Sequence, residues 1–278
     1  MDSIKLIATD MDHTLLTEAG ELPPNFRDYV RELFDLKVDF AIASGRPLYT
    51  LSSTFADLKD KMTFISDNGG VISHKGQIIA KSLLKPRDYQ SMIRFAEQET
   101  DGIAIVCALD SAILSEKNKK YDKFLRVFYS KISYVTDLSK VNSEADKFTI
   151  YFPNENSKEY YDQIFKPKYS QNFSVTVGDT IWIDIMNRGI NKGKAMRILG
   201  KKLEISTDQM MAFGDTYNDA EMLKAVKYSY LVKNASEDMK QYANFMTESN
   251  DDFGVTKILD LVIQSKVNEN DSCQLPPD

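Results

Sequence analysis

A short run of mostly apolar, partly branched residues near the amino terminus is followed at once by two acidic residues. The run Ile4–Thr9 has the length and composition of a strand that is buried in a parallel sheet. Asp10 and Asp12 follow it two residues apart, so in an extended segment their side chains can project to the same side. Open parallel sheets bind their ligands at the carboxyl ends of their strands. The chain therefore begins as a strand that carries two carboxylates to the functional edge of an α/β sheet.

Strand and helix patterns then alternate along the chain, are interrupted, and resume. Residues 38–43 and 62–66 are short apolar runs like the first, with helical patterns before each of them. From Asn191 onward, helical patterns again alternate with apolar runs, at 210–213 and 228–232. This alternation predicts a doubly wound, Rossmann-like α/β core built on a parallel sheet.

The segment between these two parts has a different pattern. Short strands with hairpin-like turns, such as Gly178–Asp179, replace the regular alternation and predict an inserted α+β module. We expect a discontinuous core domain of residues 1–82 and 190–264, interrupted by an inserted domain at 83–189. Residues 265–278 have almost no apolar content, and we expect them to form a frayed tail.

Charge, hydropathy and cysteine content exclude several classes of protein. The net charge of −6 gives no basic surface that would favour a nucleic acid or an anionic membrane. No apolar run reaches the length of a membrane span, and Asp10 and Asp12 interrupt the apolar start before it could serve as a signal-peptide core. Cys107 and Cys273 form neither a disulfide framework nor a metal-binding pair, so we expect a cytoplasmic protein. With two histidines in the chain, the chemistry is expected to rest on carboxylates.

Three further polar clusters stand where predicted strands end or helices begin. Ser44–Gly45 precedes a helical pattern, Lys192 opens another, and the segment GDTYND at 214–219 follows a strand with two more acids, Asp215 and Asp219. Taken singly, each has an ordinary explanation, because serine and aspartate commonly cap helices and lysine is usually solvated. A helix amino terminus also attracts anions such as phosphate, and a lysine there is unfavourable unless an anion lies nearby.

In this order and on these elements, the clusters resemble the haloacid dehalogenase superfamily of phosphatases. The segment DMDHTLL at 10–16 is similar to the first motif of that superfamily, Ser44 to the second, Lys192 to the third, and GDTYND to the fourth. The insertion lies between the second and third motifs, as in the Cof-type subfamily with its C2B-like cap domain. That subfamily generally hydrolyses small phosphate esters.

The resemblance implies specific chemical roles for the acids. Asp10 would be the nucleophile that forms an aspartyl-phosphate, and Asp12 would protonate the leaving oxygen and later deprotonate the attacking water. A hard cation would offset the charge repulsion, and oxygen ligands indicate Mg²⁺. The family's metal ligands correspond to the side chains of Asp10 and Asp215 and the backbone carbonyl of Asp12. Asp219 would lie outside the metal shell and orient a water molecule or Lys192.

The resemblance also implies a set of phosphate-binding groups. They are expected to surround the phosphoryl oxygens and to act mainly by position and charge, with Lys192 contributing directly to catalysis. The set consists of Ser44, the Gly45 amide, Lys192 and Asn218.

The implied activity is Mg²⁺-dependent hydrolysis of small phosphorylated metabolites, such as a sugar phosphate, pyridoxal phosphate or flavin mononucleotide. A phosphomutase of the same superfamily and a non-catalytic phosphate-binding protein on the same fold are the alternatives, although the presence of Asp10 and Asp12 disfavours the second. His13 stands where the family usually has glycine, and we interpret it as a tolerated substitution. Arg46 either steadies the turn after Ser44 or reaches the substrate.

Overall fold

The computed structural model describes Met1 and residues 3–272, which form two sheets with helices packed on them. In chain order, the strands are β1 (Leu6–Thr9), β2 (Asp39–Ala43), β3 (Thr63–Ser66), β4 (Val71–His74), β5 (Gln77–Lys81), β6 (Ile103–Ala108), β7 (Ala112–Ser115), β8 (Ile132–Val135), β9 (Ala145–Tyr151), β10 (Phe173–Gly178), β11 (Trp182–Asn187), β12 (Met210–Gly214), β13 (Tyr228–Val232) and β14 (Phe245–Thr247). The α-helices are α1 (Phe26–Asp35), α2 (Leu48–Thr54), α3 (Pro86–Glu99), α4 (Asp122–Leu125), α5 (Ser157–Tyr160), α6 (Lys166–Tyr169), α7 (Lys192–Leu203), α8 (Ala220–Ala225) and α9 (Gly254–Ser272).

The first sheet has the strand order β14-β13-β12-β1-β2-β3-β4-β5 within the described residues. Its strands are parallel from β14 to β3, whereas β4 and β5 form an antiparallel extension that the sequence analysis did not foresee. Alternate residues of β1 face opposite sides of this sheet: Ile7 packs into one apolar cluster, while Leu6 and Ala8 pack into the other. The sheet is thus covered on both faces, which confirms the predicted doubly wound α/β core.

The second sheet has the order β10-β11-β9-β6-β7-β8 and is antiparallel except for the β7–β8 pair. Helix α3 covers it with a stripe of buried residues at helical spacing, Tyr89, Met92, Ile93 and Ala96. This part, hereafter the cap, has the α+β character that the sequence indicates.

The chain passes from the first sheet to the cap between Lys81 and Pro86 and returns between Asn187 and Lys192. The two crossings are joined, because Asn187 Nδ2 donates hydrogen bonds to Ser82 Oγ at 3.0 Å and to the Leu83 carbonyl at 2.8 Å. The predicted domain boundaries at 82/83 and 189/190 fall within these two connections, and the division into domains stays a prediction.

The prediction of a frayed tail from residue 265 is wrong for its first part. Helix α9 continues to Ser272, because an established helix gains one backbone hydrogen bond with each further residue. Residues 273–278, including Cys273, lie outside the described part of the chain, whereas Cys107 is a buried free thiol. Among the helices of the described residues, none combines the length and apolarity that crossing a bilayer requires.

Candidate active site

The predicted site residues converge at the carboxyl edge of the first sheet, under the cap. A cavity there is lined from below by the ends of β1, β2, β3 and β12. The core contributes Asp10, Asp12, Gly45, Asp215 and Asn218 to its wall, and the cap contributes Phe128, Tyr129, Lys147, Thr149, Trp182 and Asp184. The cavity therefore has a floor of motif residues and a roof of residues to which the sequence analysis assigned no role.

Lys192 is the fully buried first residue of α7 and lies between two carboxylates. Its ammonium donates hydrogen bonds to Asp10 Oδ1 and, at 2.7 Å, to Asp219 Oδ1. Burial opposes the charge of Lys192, yet the Asp10 and Asp219 carboxylates raise its pKa above the ordinary value. Lys192 is therefore a permanent cation that holds the Asp10 side chain in place.

Both oxygens of the Asp219 carboxylate already accept hydrogen bonds, which leaves few lone pairs for a metal ion. Its Oδ1 accepts from Lys192, and its Oδ2 accepts from the backbone N–H groups of Asp215 at 3.1 Å and Thr216 at 3.4 Å. Asp219 thus contacts Lys192 directly, and its position outside the metal shell stays a prediction.

When they are ionised, the carboxylates around Lys192 carry more negative charge than its single ammonium can balance. Oxygens of Asp10, Asp215 and Asp219 lie within 4.8 Å of one another. Burial and the neighbouring carboxylates raise the pKa of Asp10 well above its usual range, and burial followed by Asp219 raises the pKa of Asp215 to about 7. Asp215 Oδ1 accepts a 2.9 Å hydrogen bond from Thr14 Oγ1, while in the described residues no hydrogen bond reaches Oδ2 of either Asp10 or Asp215. Two such oxygens in a buried anionic cluster fit a hard divalent cation such as Mg²⁺.

The Asp12 carboxylate is held by Arg46, away from the Asp10–Asp215–Asp219 cluster. Arg46 donates from Nε to Asp12 Oδ2 at 3.0 Å and from Nη2 to Oδ1 at 2.7 Å, which is a two-point pair. The same guanidinium donates to the Val127 carbonyl of the cap at 3.1 Å and lies 5.5 Å from the centre of the Phe128 ring. Arg46 thus links Asp12 to the cap, a contact that its position in the sequence did not indicate.

The turn after β2 and the turn before α8 supply the predicted phosphate-binding groups. Buried Ser44 accepts a hydrogen bond from the Arg46 backbone at its Oγ, at 3.1 Å, and Gly45 lines the cavity. Asn218 also lines the cavity, and its Nδ2 donates to Asn68 Oδ1 at 3.2 Å. His13 adopts a φ of 59°, a left-handed conformation for which glycine is the usual residue.

A buried polar cluster between the cap and the core was missed by the sequence analysis. We call Lys147, Asp67, Asp146 and Asp184 the seam cluster. Lys147 Nζ lies 3.1 Å from Asp67 Oδ1 and 3.5 Å from Asp184 Oδ2, and it donates to the Gly45 carbonyl at 2.6 Å. The sequence did contain a signal, since Asp146 and Lys147 interrupt a largely apolar strand. Charged residues are rarely buried without partners, so two of them in such a strand indicate a buried ion pair.

Comparisons with known proteins point to one family of enzymes. Residues 7–259 match the family model of haloacid dehalogenase-like hydrolases. The chain is 26% identical over 269 residues to the 5-amino-6-(5-phospho-D-ribitylamino)uracil phosphatase YbjI of Escherichia coli K12, covering 94% of this chain and 97% of that protein. It is 25% identical over 257 residues to the phosphatase YcsE of Bacillus subtilis 168, which carries the same substrate name, covering 92% and 94%. A crystal structure from Streptococcus mutans UA159 superposes with a TM-score of 0.87 at 31% identity, covering 94% of this chain and 99% of that one.

Proposed function

Because the chain belongs to the haloacid dehalogenase-like hydrolase family, we propose that it is a Mg²⁺-dependent phosphatase that acts through an aspartyl-phosphate. The observation that carries the proposal is the anionic cluster of Asp10, Asp215 and Asp219 around the buried ammonium of Lys192. Such a site is electrostatically incomplete without a further cation, and it holds one carboxylate, Asp10, in a fixed position. Bound Mg²⁺ would be held by Asp10 and Asp215 with the Asp12 carbonyl, and it would neutralise charge on the phosphoryl group.

The residues of this chain divide the reaction into two displacements. In the first, an oxygen of Asp10 bonds to phosphorus while the bond from phosphorus to the ester oxygen breaks, and Asp12 gives its proton to that oxygen. In the second, a water oxygen bonds to phosphorus, the bond to Asp10 breaks, and Asp12 takes a proton from the water. Lys192 keeps Asp10 oriented throughout, and the Gly45 and Asn218 N–H groups would offer hydrogen bonds to the phosphoryl oxygens.

The contacts between Asp12 and Arg46 fit the second half-reaction, in which Asp12 is ionised and accepts a proton. Both oxygens of Asp12 accept hydrogen bonds from the guanidinium, as an ionised carboxylate does. This is the form in which Asp12 can take a proton from water. For the first half-reaction Asp12 must carry a proton, which its hydroxyl group donates to the ester oxygen while its remaining lone pairs can still accept from Arg46.

The roof of the cavity favours a substrate with a planar ring. Phe128, Tyr129 and Trp182 line it, and the Phe128 and Trp182 rings pack edge to face with centroids 5.2 Å apart. Aromatic walls bind planar rings through their large apolar faces. YbjI and YcsE are both named as phosphatases of a phosphorylated ribitylamino-uracil, which carries such a ring. We therefore propose as the substrate class a phosphate ester of a polyhydroxylated chain that bears a planar ring.

The core of the proposal is tested with p-nitrophenyl phosphate in Mg²⁺ and in EDTA. We expect turnover in Mg²⁺, loss of turnover in EDTA, and loss of turnover in Asp10→Asn, because the amide is nearly isosteric but a poor nucleophile. Asp57→Asn, at an exposed acid that does not line the cavity, is the matched control. Undiminished turnover in Asp10→Asn would refute the assignment of the nucleophile.

The substrate class is tested by comparing kcat/KM for flavin mononucleotide with that for ribose 5-phosphate. We expect a preference for the ester with the ring, and we expect Trp182→Ala to reduce that preference while leaving ribose 5-phosphate hydrolysis nearly unchanged. Equal kcat/KM for the two esters in the native enzyme would contradict the role of the aromatic roof.

A further inference from the structure

Three polar side chains form a continuous hydrogen-bonded chain from the cap to the phosphate side of the cavity. Asp184, on β11 of the cap, accepts at Oδ2 a 3.0 Å hydrogen bond from Asn68 Nδ2. Asn68, in the turn after β3, accepts at Oδ1 a 3.2 Å hydrogen bond from Asn218 Nδ2. Asp184 and Asn68 are buried, and all three line the cavity.

The chemistry of Asp184 fixes the direction of this chain. An ionised carboxylate accepts hydrogen bonds and donates none, whereas an amide side chain can turn either its NH₂ or its oxygen to a neighbour. Asp184 also accepts from Thr149 Oγ1 at 2.6 Å, and Lys147 Nζ lies 3.5 Å away, so it is surrounded by donors. Asn68 must therefore present its NH₂ to Asp184 and its oxygen to Asn218.

The same constraint then passes to Asn218. With an oxygen of Asn68 facing it, Asn218 must present its own NH₂, because the flipped amide would bring two acceptor oxygens together. Within the described residues, one hydrogen of Asn218 Nδ2 is bonded to Asn68 and no hydrogen bond uses the other. A phosphoryl oxygen is an acceptor and requires such a donor.

We propose that Asp184 is a positioning residue that acts through Asn68 to keep Asn218 in the orientation that donates to the phosphoryl group. The inference rests on the proposed phosphatase function. Asp184 belongs to the cap, while Asn68 and Asn218 belong to the core. The donor at the phosphate site is consequently fixed only while the cap rests on the core, so substrate enclosure and phosphate binding are linked.

Asp184→Asn tests the donor-to-acceptor direction of this hydrogen-bonded chain, because the two side chains have almost the same shape. The new amide can donate as well as accept, so the orientations of Asn68 and Asn218 are no longer imposed. Loss of a hydrogen bond to a charged group corresponds to roughly tenfold to hundredfold in affinity. We expect the KM for p-nitrophenyl phosphate and the inhibition constant for inorganic phosphate to rise in that range, with a smaller effect on kcat.

Asp122→Asn is the matched control, because it makes the same carboxylate-to-amide change in the cap, at a side chain that accepts from Arg126 and Tyr134 and does not line the cavity. We expect its inhibition constant for phosphate to stay close to that of the unmodified enzyme. Thermal unfolding of each variant separates local damage to the cap from a change in phosphate binding.

The double variant Asn68→Asp with Asp184→Asn provides a rescue. It moves the carboxylate to the middle of the chain, where it accepts from both neighbours and again imposes the donating orientation on Asn218. Asn68 has a φ of 54° and a ψ of 26°, a left-handed conformation that aspartate tolerates nearly as well as asparagine. We expect the double variant to recover most of the phosphate affinity that Asp184→Asn loses.

The outcomes separate this inference from the proposed function. If the unmodified enzyme hydrolyses no phosphate ester in Mg²⁺, the proposed function itself fails. If it is active but Asp184→Asn binds phosphate as tightly as Asp122→Asn, or if the double variant recovers nothing, the positioning role is overturned and the function stands. Should Asp184→Asn fail to fold, a folded double variant with weakened phosphate binding overturns the positioning role, and one with native phosphate binding supports it.

Discussion

Replacing Lys147 by methionine is expected to destabilise the protein more than any comparable change of an exposed lysine. The Lys147 side chain is only 3% exposed, with Asp67 at 3.1 Å and Asp184 at 3.5 Å. At an effective dielectric constant of 20, each attraction amounts to about 5 kcal/mol before the cost of removing the charges from water. That cost cancels much of the attraction, and removing one partner of a buried pair typically costs about 3–5 kcal/mol because a charge is left uncompensated. We expect Lys147→Met to lower the free energy of unfolding by about that amount.

The loss of stability in Lys147→Met should depend on pH, and the acids of the seam cluster determine the direction of this dependence. Burial already raises the pKa of Asp67 against the lowering effect of Lys147, and burial together with Asp67 raises the pKa of Asp146 well above its usual range. Without the ammonium, which lowers it, the pKa of Asp67 in the folded protein rises further. The folded state then binds more protons than the unfolded state, so stability falls as pH increases. Lys147→Met should therefore be more destabilising at pH 8 than at pH 5.5.

Denaturation in urea at the two pH values measures this effect, and Lys81→Met is the matched control. Lys81 also joins the core to the cap, through Glu144 at 3.1 Å, but the two side chains are 41% and 62% exposed. Exposed pairs contribute at most about 1 kcal/mol. Equal losses of stability in the two variants, or a loss in Lys147→Met that does not change with pH, would refute the view that Lys147 compensates buried acids.

Three further predictions concern Asp12, Arg46 and Asp215 of the candidate active site. Asp12→Asn should reduce kcat/KM far more for alkyl phosphates than for p-nitrophenyl phosphate, whose leaving group needs no proton; equal losses would count against an acid role. Arg46→Met should lower kcat/KM about tenfold or more, and Arg46→Lys should recover only part of it, because lysine cannot make the two-point contact with Asp12; full recovery would show that charge alone matters. With the pKa of Asp215 raised to about 7, the metal-free protein should become less stable as pH rises from 5 to 8, and Mg²⁺ should increase the melting temperature more at pH 8 than at pH 5.5; an increase independent of pH would contradict this.

The part of the site that lies on the core could be predicted because topology alone brings it together. Asp10, Ser44 and Asp215 each follow a strand of one parallel sheet, so their positions at its carboxyl edge require no knowledge of side-chain packing. Lys192 opens the helix that follows the return from the cap, and its contact with Asp10 and Asp219 follows from the same rule. Their catalytic and metal-binding roles stay predictions.

The part of the site that lies on the cap could not be predicted in the same way. Asn68 and Asp184 are 116 residues apart, and Gly45 and Lys147 are 102 residues apart. No rule of sheet topology fixes how an inserted sheet sits on the sheet that it interrupts. The register of β9 places Lys147 and Thr149 on the same side of the cap sheet, but only the orientation of the whole cap brings them to the cavity.

The polar character of the seam has a consequence for how the cap can move. An apolar seam would resist opening, because separating it exposes hydrophobic surface to water. The contacts that cross the seam, from Lys147 to Asp67 and Gly45 and from Asn68 to Asp184, can instead be exchanged for contacts with water. Each hydrogen bond therefore contributes only a modest net free energy to closure. Polar interfaces between parts of one chain commonly permit relative motion. The seam cluster therefore suits a cap that must orient the phosphate site when it is closed and still release a product after each turnover.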